Sequence, residues 1–187
     1  MTEKIKQSPL IWLDLEMTGL DPDSERIIEI ATAITSHDLD EITEGPNLVI
    51  KQPSEFIENM DEWNVTQHTK SGLIESLSVT KVTIKEAEDK TIEFLRRHTE
   101  SGQSPLCGNS ISHDRRFLRR YMPDLENYFH YRNVDVSSIK ELIKRWNPSV
   151  LSEFRKGSGH RAMSDVKESI LELKFYKEKV FKDFSLS

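Results

Sequence analysis

The feature that most constrains this chain is a pair of carboxylates inside an apolar run. Leu10 to Leu15 reads as a buried β-strand entering a turn at Thr18-Gly19, and it carries Asp14 and Glu16 two residues apart. Side chains alternate faces along a strand, so both acids point the same way. Two like charges side by side in a core strand are costly unless something neutralises them. A divalent metal is the simplest neutraliser, because hard cations such as Mg²⁺ favour carboxylate oxygens. An isolated Asp-x-Glu has a plainer reading, a strand end where both acids reach water, and the rest of the chain has to decide.

The length of 187 residues fits one domain over 1–187 with a sizeable core, of which about 1–8 is expected to be a flexible N-terminal tail. With 36% hydrophobic and 31% charged residues, the composition is that of a soluble globular protein. No apolar run approaches the ~20 residues that cross a bilayer, so no membrane association is expected. Met1 to Pro9 is polar and lacks the apolar core of a signal peptide. The single cysteine, Cys107, excludes an intrachain disulfide and a multi-cysteine zinc site. Together these features point to the cytoplasm. The net charge of −6 argues against a protein that coats long nucleic acid electrostatically, though not against a nucleic-acid enzyme whose own carboxylates hold metal. Arg115, Arg116, Arg119 and Arg120 read mainly as a solvated helix face.

Ile27 to Ile34 and Asn47 to Lys51 follow as second and third strands, and the short links suggest an antiparallel meander. Ser54 to Thr80 is irregular, with short helical pieces, and a long excursion of this kind often carries binding residues. Thr83 to Glu86 fits a capping box, after which Ile84, Ala87, Thr91, Phe94, Leu95 and His98 keep helical spacing. A short buried strand at Ser104 to Gly108 precedes a helix bearing Phe117, Leu118 and Tyr121. A fifth strand is expected at Asn133 to Val136, then helices over Ser137 to Trp146 and Ala162 to Val180. The predicted order is β-β-β-α-β-α-β-α, a mixed five-stranded sheet flanked by helices.

Two more acids and a histidine join the first pair. Asp114 lies three, four and seven residues before Phe117, Leu118 and Tyr121, on the inward face of its helix. Asp165 opens the last helix beside its apolar stripe, and His160 precedes it after Gly157 and Gly159. Singly, each has an ordinary structural reading: acids near helix N-termini, a surface histidine, a connecting loop.

Taken together and in this order, Asp14-x-Glu16, Asp114 and His160-x-x-x-x-Asp165 resemble the DEDDh 3′→5′ exonucleases of the ribonuclease H-like fold. The bordering stretches 12–21, 107–114, 131–137 and 159–165 are similar to those of the oligoribonuclease branch, and the resemblance spans roughly Pro9 to Val180. It implies that Asp14, Glu16, Asp114 and Asp165 hold two divalent ions, Mg²⁺ or Mn²⁺, and that His160 is the general base for the attacking water. The residue types suit the chemistry. Phosphodiester hydrolysis needs an activated water and a stabilised leaving oxygen, and a two-metal site supplies both. An unperturbed histidine titrates at ~6.5, well placed for a base near neutral pH.

The same resemblance implies very short RNA as substrate, down to dinucleotides. Leu20 and Trp63 match positions that wedge or stack against bases, and His68 a contact to the substrate phosphate region. Ser110 and Ser137 match groups that cap a 5′ phosphate. Tyr131 and Arg132 match residues that reach the neighbouring site of a homodimer. The competing enzymatic reading is a DEDDh exonuclease that trims DNA or structured RNA 3′ ends. A non-catalytic binding module on this fold is disfavoured, because binding alone needs no general base.

Overall fold

The computed structural model describes residues 8–154 and 161–181. Strands β1 (Leu10–Met17), β2 (Ile27–Thr35), β3 (Ile42–Val49), β4 (Leu106–Gly108) and β5 (Asn133–Asp135) form one sheet in the order β3-β2-β1-β4-β5. The first three pair antiparallel as the short links required, and β4 and β5 join parallel to β1 and to each other. Helices α1 (Ser54–Glu58), α2 (Glu62–Lys70), α3 (Leu73–Val79) and α4 (Ile84–Arg96) fill the crossing from β3 to β4. Helices α5 (Ser112–Tyr121) and α6 (Pro123–Glu126) lie between β4 and β5, and α7 (Val136–Trp146), α8 (Pro148–Leu151) and α9 (Ala162–Val180) follow.

Alternation on β1 divides the core. Ile11, Leu13 and Leu15 pack with α4 and α5 through Ala87, Leu95, Phe117 and Leu118. Trp12 points to the other face and packs with α7 and α9 through Val136, Ile143, Val166 and Ile170. Every residue of β2 is buried, as a strand covered on both faces requires. The apolar stripe of α9, Val166, Ile170, Leu173 and Tyr176, is buried. The capping box of α4 forms with both of its reciprocal bonds, Thr83 to the Glu86 amide and Glu86 to the Thr83 amide.

The main departures from expectation have local causes. Strand β3 starts at Ile42 and ends at Val49 rather than running from Asn47 to Lys51. Gly45 and Pro46 inside it conceal the strand pattern, yet an edge strand tolerates proline, and the ladder is irregular between Ala31 and Ala33 of β2. Helix α4 ends at Arg96, so His98 lies in the following turn. Strand β4 begins at Leu106, two residues later than expected. The helices α6 and α8, absent from the predicted order, are single turns opened by Pro123 and Pro148, whose fixed φ suits a first helical position.

Gly108 is a sequence-level necessity at the end of β4. A Cβ there would meet the Leu13 carbonyl oxygen at 2.9 Å and Ile111 Cδ1 at 2.8 Å. That close approach lets the chain turn into α5 directly beside β1. Gly108→Ala is expected to lower stability by about 1–3 kcal/mol through overpacking, read as a lower denaturant midpoint at unchanged m-value.

Candidate active site

On β1 the side chains of Trp12, Asp14 and Glu16 share one face, the face that α9 covers. Trp12 anchors the strand there, fully buried with its indole N–H donating to Thr35 Oγ1 at 3.0 Å. Helix α9 delivers Asp165 in its first turn. The result is a cluster of three carboxylates, Asp14, Glu16 and Asp165, each half-buried and each offering an oxygen within 4.8 Å of the others.

Asp114 enters from α5. Strand β4 stops at Gly108, leaving the Leu15 amide beyond the paired residues of the β1–β4 ladder. Asp114 takes the place of the missing strand, with its Oδ1 accepting from Leu15 N at 3.0 Å. The Asp114 side chain is buried, and its first-turn position on α5 offers backbone N–H groups to a negative charge.

The electrostatics are those of a site that wants a cation. Burial, then the charges of Asp114, Glu16 and Asp165, hold the Asp14 carboxyl well above the carboxylate range. Burial and then Asp165, Glu29 and Asp114 push Glu16 up to about 8, with Arg161 opposing. Burial pushes Asp114 up to about 7, against the Leu15 amide and its own amide, which favour the charged form. Crowded, partly desolvated carboxylates that hold their protons near neutral pH form a cluster suited to a cation. The donor set, all carboxylate oxygen, fits a hard divalent ion.

The described residues among the remaining expected site residues fall into four places. His160 lies outside the described residues, as do Gly157 and Gly159. Trp63 and His68 share α2. Trp63 is 63% exposed, whereas His68 is buried, its Nε2–H donating to the Met17 carbonyl at 3.0 Å and its Nδ1 lying 3.9 Å from Glu16 Oε2. Leu20, 69% exposed, sits in the turn just after β1. Ser110 and Ser137 meet, Ser110 Oγ donating to Ser137 Oγ at 3.2 Å, beside Asp135 Oδ1, which accepts from both backbone amides. Ser110 holds φ +52°, a strained left-handed conformation that its Asp135 bond helps to maintain. Neither Ser110 nor Ser112 caps α5, whose N-cap is Ile111. Tyr131 projects from the surface at 72% exposure, with the Arg132 guanidinium 5.2 Å from its ring centroid.

Several contributors escape a sequence reading. Arg115 is no solvated charge. It bonds Glu126, the His130 and Tyr131 carbonyls and Asn133 Oδ1, bracing the turn that presents Tyr131. Glu29, fully buried in β2 directly across from Glu16, grips Arg161. A glutamate inside the otherwise apolar stretch Ile27–Ile34 was the available signal.

The sign of a pH effect follows from the raised acids. A carboxyl whose folded pKa exceeds its unfolded value keeps a proton that the unfolded chain releases. Its contribution to stability is therefore full below about pH 4.5 and declines up to about pH 8 for Glu16. Without metal, Glu16→Gln is expected to melt higher than the wild type, by a margin that grows from pH 5 to pH 8. Added Mg²⁺ or Mn²⁺ should raise the wild-type Tm most at pH 8, where protons compete least for the ligands. Thermal scans at the two pH values, with and without metal, check both.

Comparison with known proteins agrees with this architecture. A family model described as "Exonuclease" matches residues 11–173. The chain is 51% identical to an oligoribonuclease of Idiomarina loihiensis, covering 97% of this chain and 99% of the relative. It is 54% identical to an oligoribonuclease of Acinetobacter baylyi, covering 92% and 94% of the two chains. Among solved structures, E. coli exonuclease I in complex with a dA16 oligonucleotide superposes with a TM-score of 0.70 at 16% identity. That match covers 93% of this chain and 42% of the other, and it shows a shared ribonuclease H-like fold. A near-full-length match at half identity and a four-carboxylate site on that fold lead to one assignment: this chain belongs to the oligoribonuclease family of exonucleases.

Proposed function

We propose that Asp14, Glu16, Asp114 and Asp165 hold two divalent ions, Mg²⁺ or Mn²⁺, and that His160 serves as general base in phosphodiester hydrolysis. As a member of its family the chain is a 3′→5′ exoribonuclease of short RNA. The observation that carries the site reading is the approach of Asp14, Glu16 and Asp165 within 4.8 Å on one face of β1, with Asp114 bound to the next amide of the same strand. Once bound, the ions would supply Lewis acidity toward the scissile phosphate and its leaving 3′ oxygen. The protein's own part is to fix the ligands. Asp14 and Glu16 ride a strand paired on both edges, Asp114 is tied to Leu15, and Asp165 sits in the first turn of a 19-residue helix. His160, five residues before Asp165, takes the proton of the attacking water in this reading. Activity then falls as pH drops below the histidine pKa.

The substrate is read as a very short RNA, including the dinucleotide. Leu20 and Trp63 offer exposed apolar and aromatic surface for bases. Stacking of that kind contributes about 1–3 kcal/mol per base and tolerates any sequence. Ser110 and Ser137 would cap the 5′ phosphate, with His68 behind the scissile region at Glu16. Tyr131 and Arg132 would complete the cap from the neighbouring subunit of a homodimer. A chain carrying −6 gains little from a long phosphate backbone, which favours end-specific contacts. The setting in this reading is the cytoplasm, with the chain acting as one exonuclease domain. Among the described residues no helix is long and apolar enough to cross a membrane.

The test is hydrolysis of 5′-labelled RNAs from the dinucleotide upward, with and without Mg²⁺ or Mn²⁺. Asp14→Ala and Asp114→Ala should each abolish turnover in folded protein, and near-normal activity in either would remove the ligand assignment. His160→Ala should cut the rate steeply while metal affinity stays. A collapse of metal affinity would make His160 a ligand instead.

A 5′ cap sets a second expectation. 5′-phosphorylated dinucleotides should be cleaved faster than long RNA, and Arg132→Ala should weaken the dinucleotide selectively, by about 1.5–3 kcal/mol for a lost charge-assisted contact. Equal slowing at all lengths would discard the cap.

A further inference from the structure

We propose that Glu29 and Arg161 form a positioning clamp that sets Asp165 against Asp14 and Glu16 and keeps Glu29 itself out of the ligand set. The proposal rests on the reading of those three acids as metal ligands. Its starting point is a problem of charge. Glu29 stands directly opposite Glu16 in the β1–β2 ladder and therefore on the same face of the sheet. It is fully buried, and its charge is felt at both Asp14 and Glu16. A free carboxylate in that place would be a further oxygen ligand competing for any cation drawn to the cluster.

The observed bonds remove that option. Glu29 Oε1 accepts from Arg161 Nε at 3.0 Å and from Nη2 at 2.7 Å. Glu29 Oε2 accepts from Arg161 Nε at 3.1 Å and from the Ala162 backbone amide at 3.1 Å. Both oxygens are thus spoken for by a planar fork and a helix N–H, an arrangement that guanidinium geometry permits and an ammonium does not.

The same bonds fix the last helix. Arg161 is the N-cap of α9 and has no side-chain cap bond there. The cap comes instead from β2, because Glu29 takes the first helical amide, which lacks an intrahelical partner. The Arg161 carbonyl in turn accepts from the Asp165 amide at 3.0 Å, closing the turn that carries Asp165. One residue therefore grips the sheet through its side chain and sets the helical turn of Asp165 through its backbone. A third strut, from Arg161 Nη1 to the Ser71 carbonyl at 3.5 Å, reaches the C-cap of α2. Glu29 and Arg161 touch no reacting atom in this account. They act through Asp165 and the charge balance beside Glu16.

The test uses the full chain and reads Mn²⁺ binding by calorimetry or electron paramagnetic resonance, together with kcat, KM and metal-free Tm. Arg161→Lys keeps the charge and loses the fork. Glu29→Gln keeps the shape and loses the charge. Each is expected to lower Mn²⁺ affinity or kcat by roughly 10–100-fold, as loss of an orienting partner does, with KM for a dinucleotide changed by no more than about twofold. Arg161→Met bares the Glu29 charge beside Glu16, so the pair Glu29→Gln with Arg161→Met should recover part of the activity that Arg161→Met alone loses. If Arg161→Met fails to fold, Arg161→Lys decides the matter. A Tm loss in Arg161→Lys with Mn²⁺ affinity and kcat per folded molecule intact would reduce the clamp to an ordinary structural ion pair and overturn the proposal. Asp165→Asn separates the two levels. If it leaves Mn²⁺ binding unchanged, the ligand reading falls and takes the clamp with it. If it weakens Mn²⁺ binding while Arg161→Lys does not, the clamp alone falls.

Discussion

The rest of this structure is arranged around mutual repulsion. Asp14 and Glu16 share one face of β1, Asp165 is held within 4.8 Å of both, and Asp114 is bound at the next amide. Such a group of acids would relax apart if it could. It cannot, because β1 is paired with β2 along its whole length and with β4 at its start, and Trp12 and the Ile11, Leu13 and Leu15 side chains lock it into cores on both faces. The fold holds the acids in a geometry whose repulsion is relieved by protons or by a cation, which is the preorganisation that the proposed metal site would use.

The neutralising devices inside the protein are unequal by design. Glu29 receives a full guanidinium fork and a helix amide, whereas Asp114 receives backbone amides alone. Asp14 and Glu16 stay crowded, with burial and neighbouring acids raising both. Glu29 is fully bonded and fits the part of a strut, whereas the acids left short of positive charge are the ones proposed as ligands.

Several of the residues proposed to meet substrate are mounted on something rigid. Trp63 rides α2, whose His68 is pinned to the Met17 carbonyl at the end of β1. Tyr131 stands on a turn braced by three hydrogen bonds from Arg115, to the His130 and Tyr131 carbonyls and Asn133 Oδ1, while the same guanidinium is held by Glu126. The Ser110–Ser137 pair is drawn together by one oxygen of Asp135. Surface loops anchored in this way combine access with position, the usual arrangement for recognition.

The sequence by itself determined the local elements and the identity of the acids. Apolar periodicity fixed β1, β2, α4 and α9, the capping box fixed the start of α4, and the Asp-x-Glu spacing put two carboxylates on one face. These are short-range properties, set by side-chain alternation and helical pitch over a few residues. Strand β3 was misread at its start because Gly45 and Pro46 break the pattern that an edge strand can still carry. Tertiary structure alone decided which charges meet. Glu29 and Arg161 lie 132 residues apart, and Leu15 and Asp114 lie 99 apart. Arg115 looked like a surface charge until the fold brought Glu126 and Asn133 to it. No local pattern encodes such encounters, because they depend on the order in which strands pair and on where β4 stops beside β1.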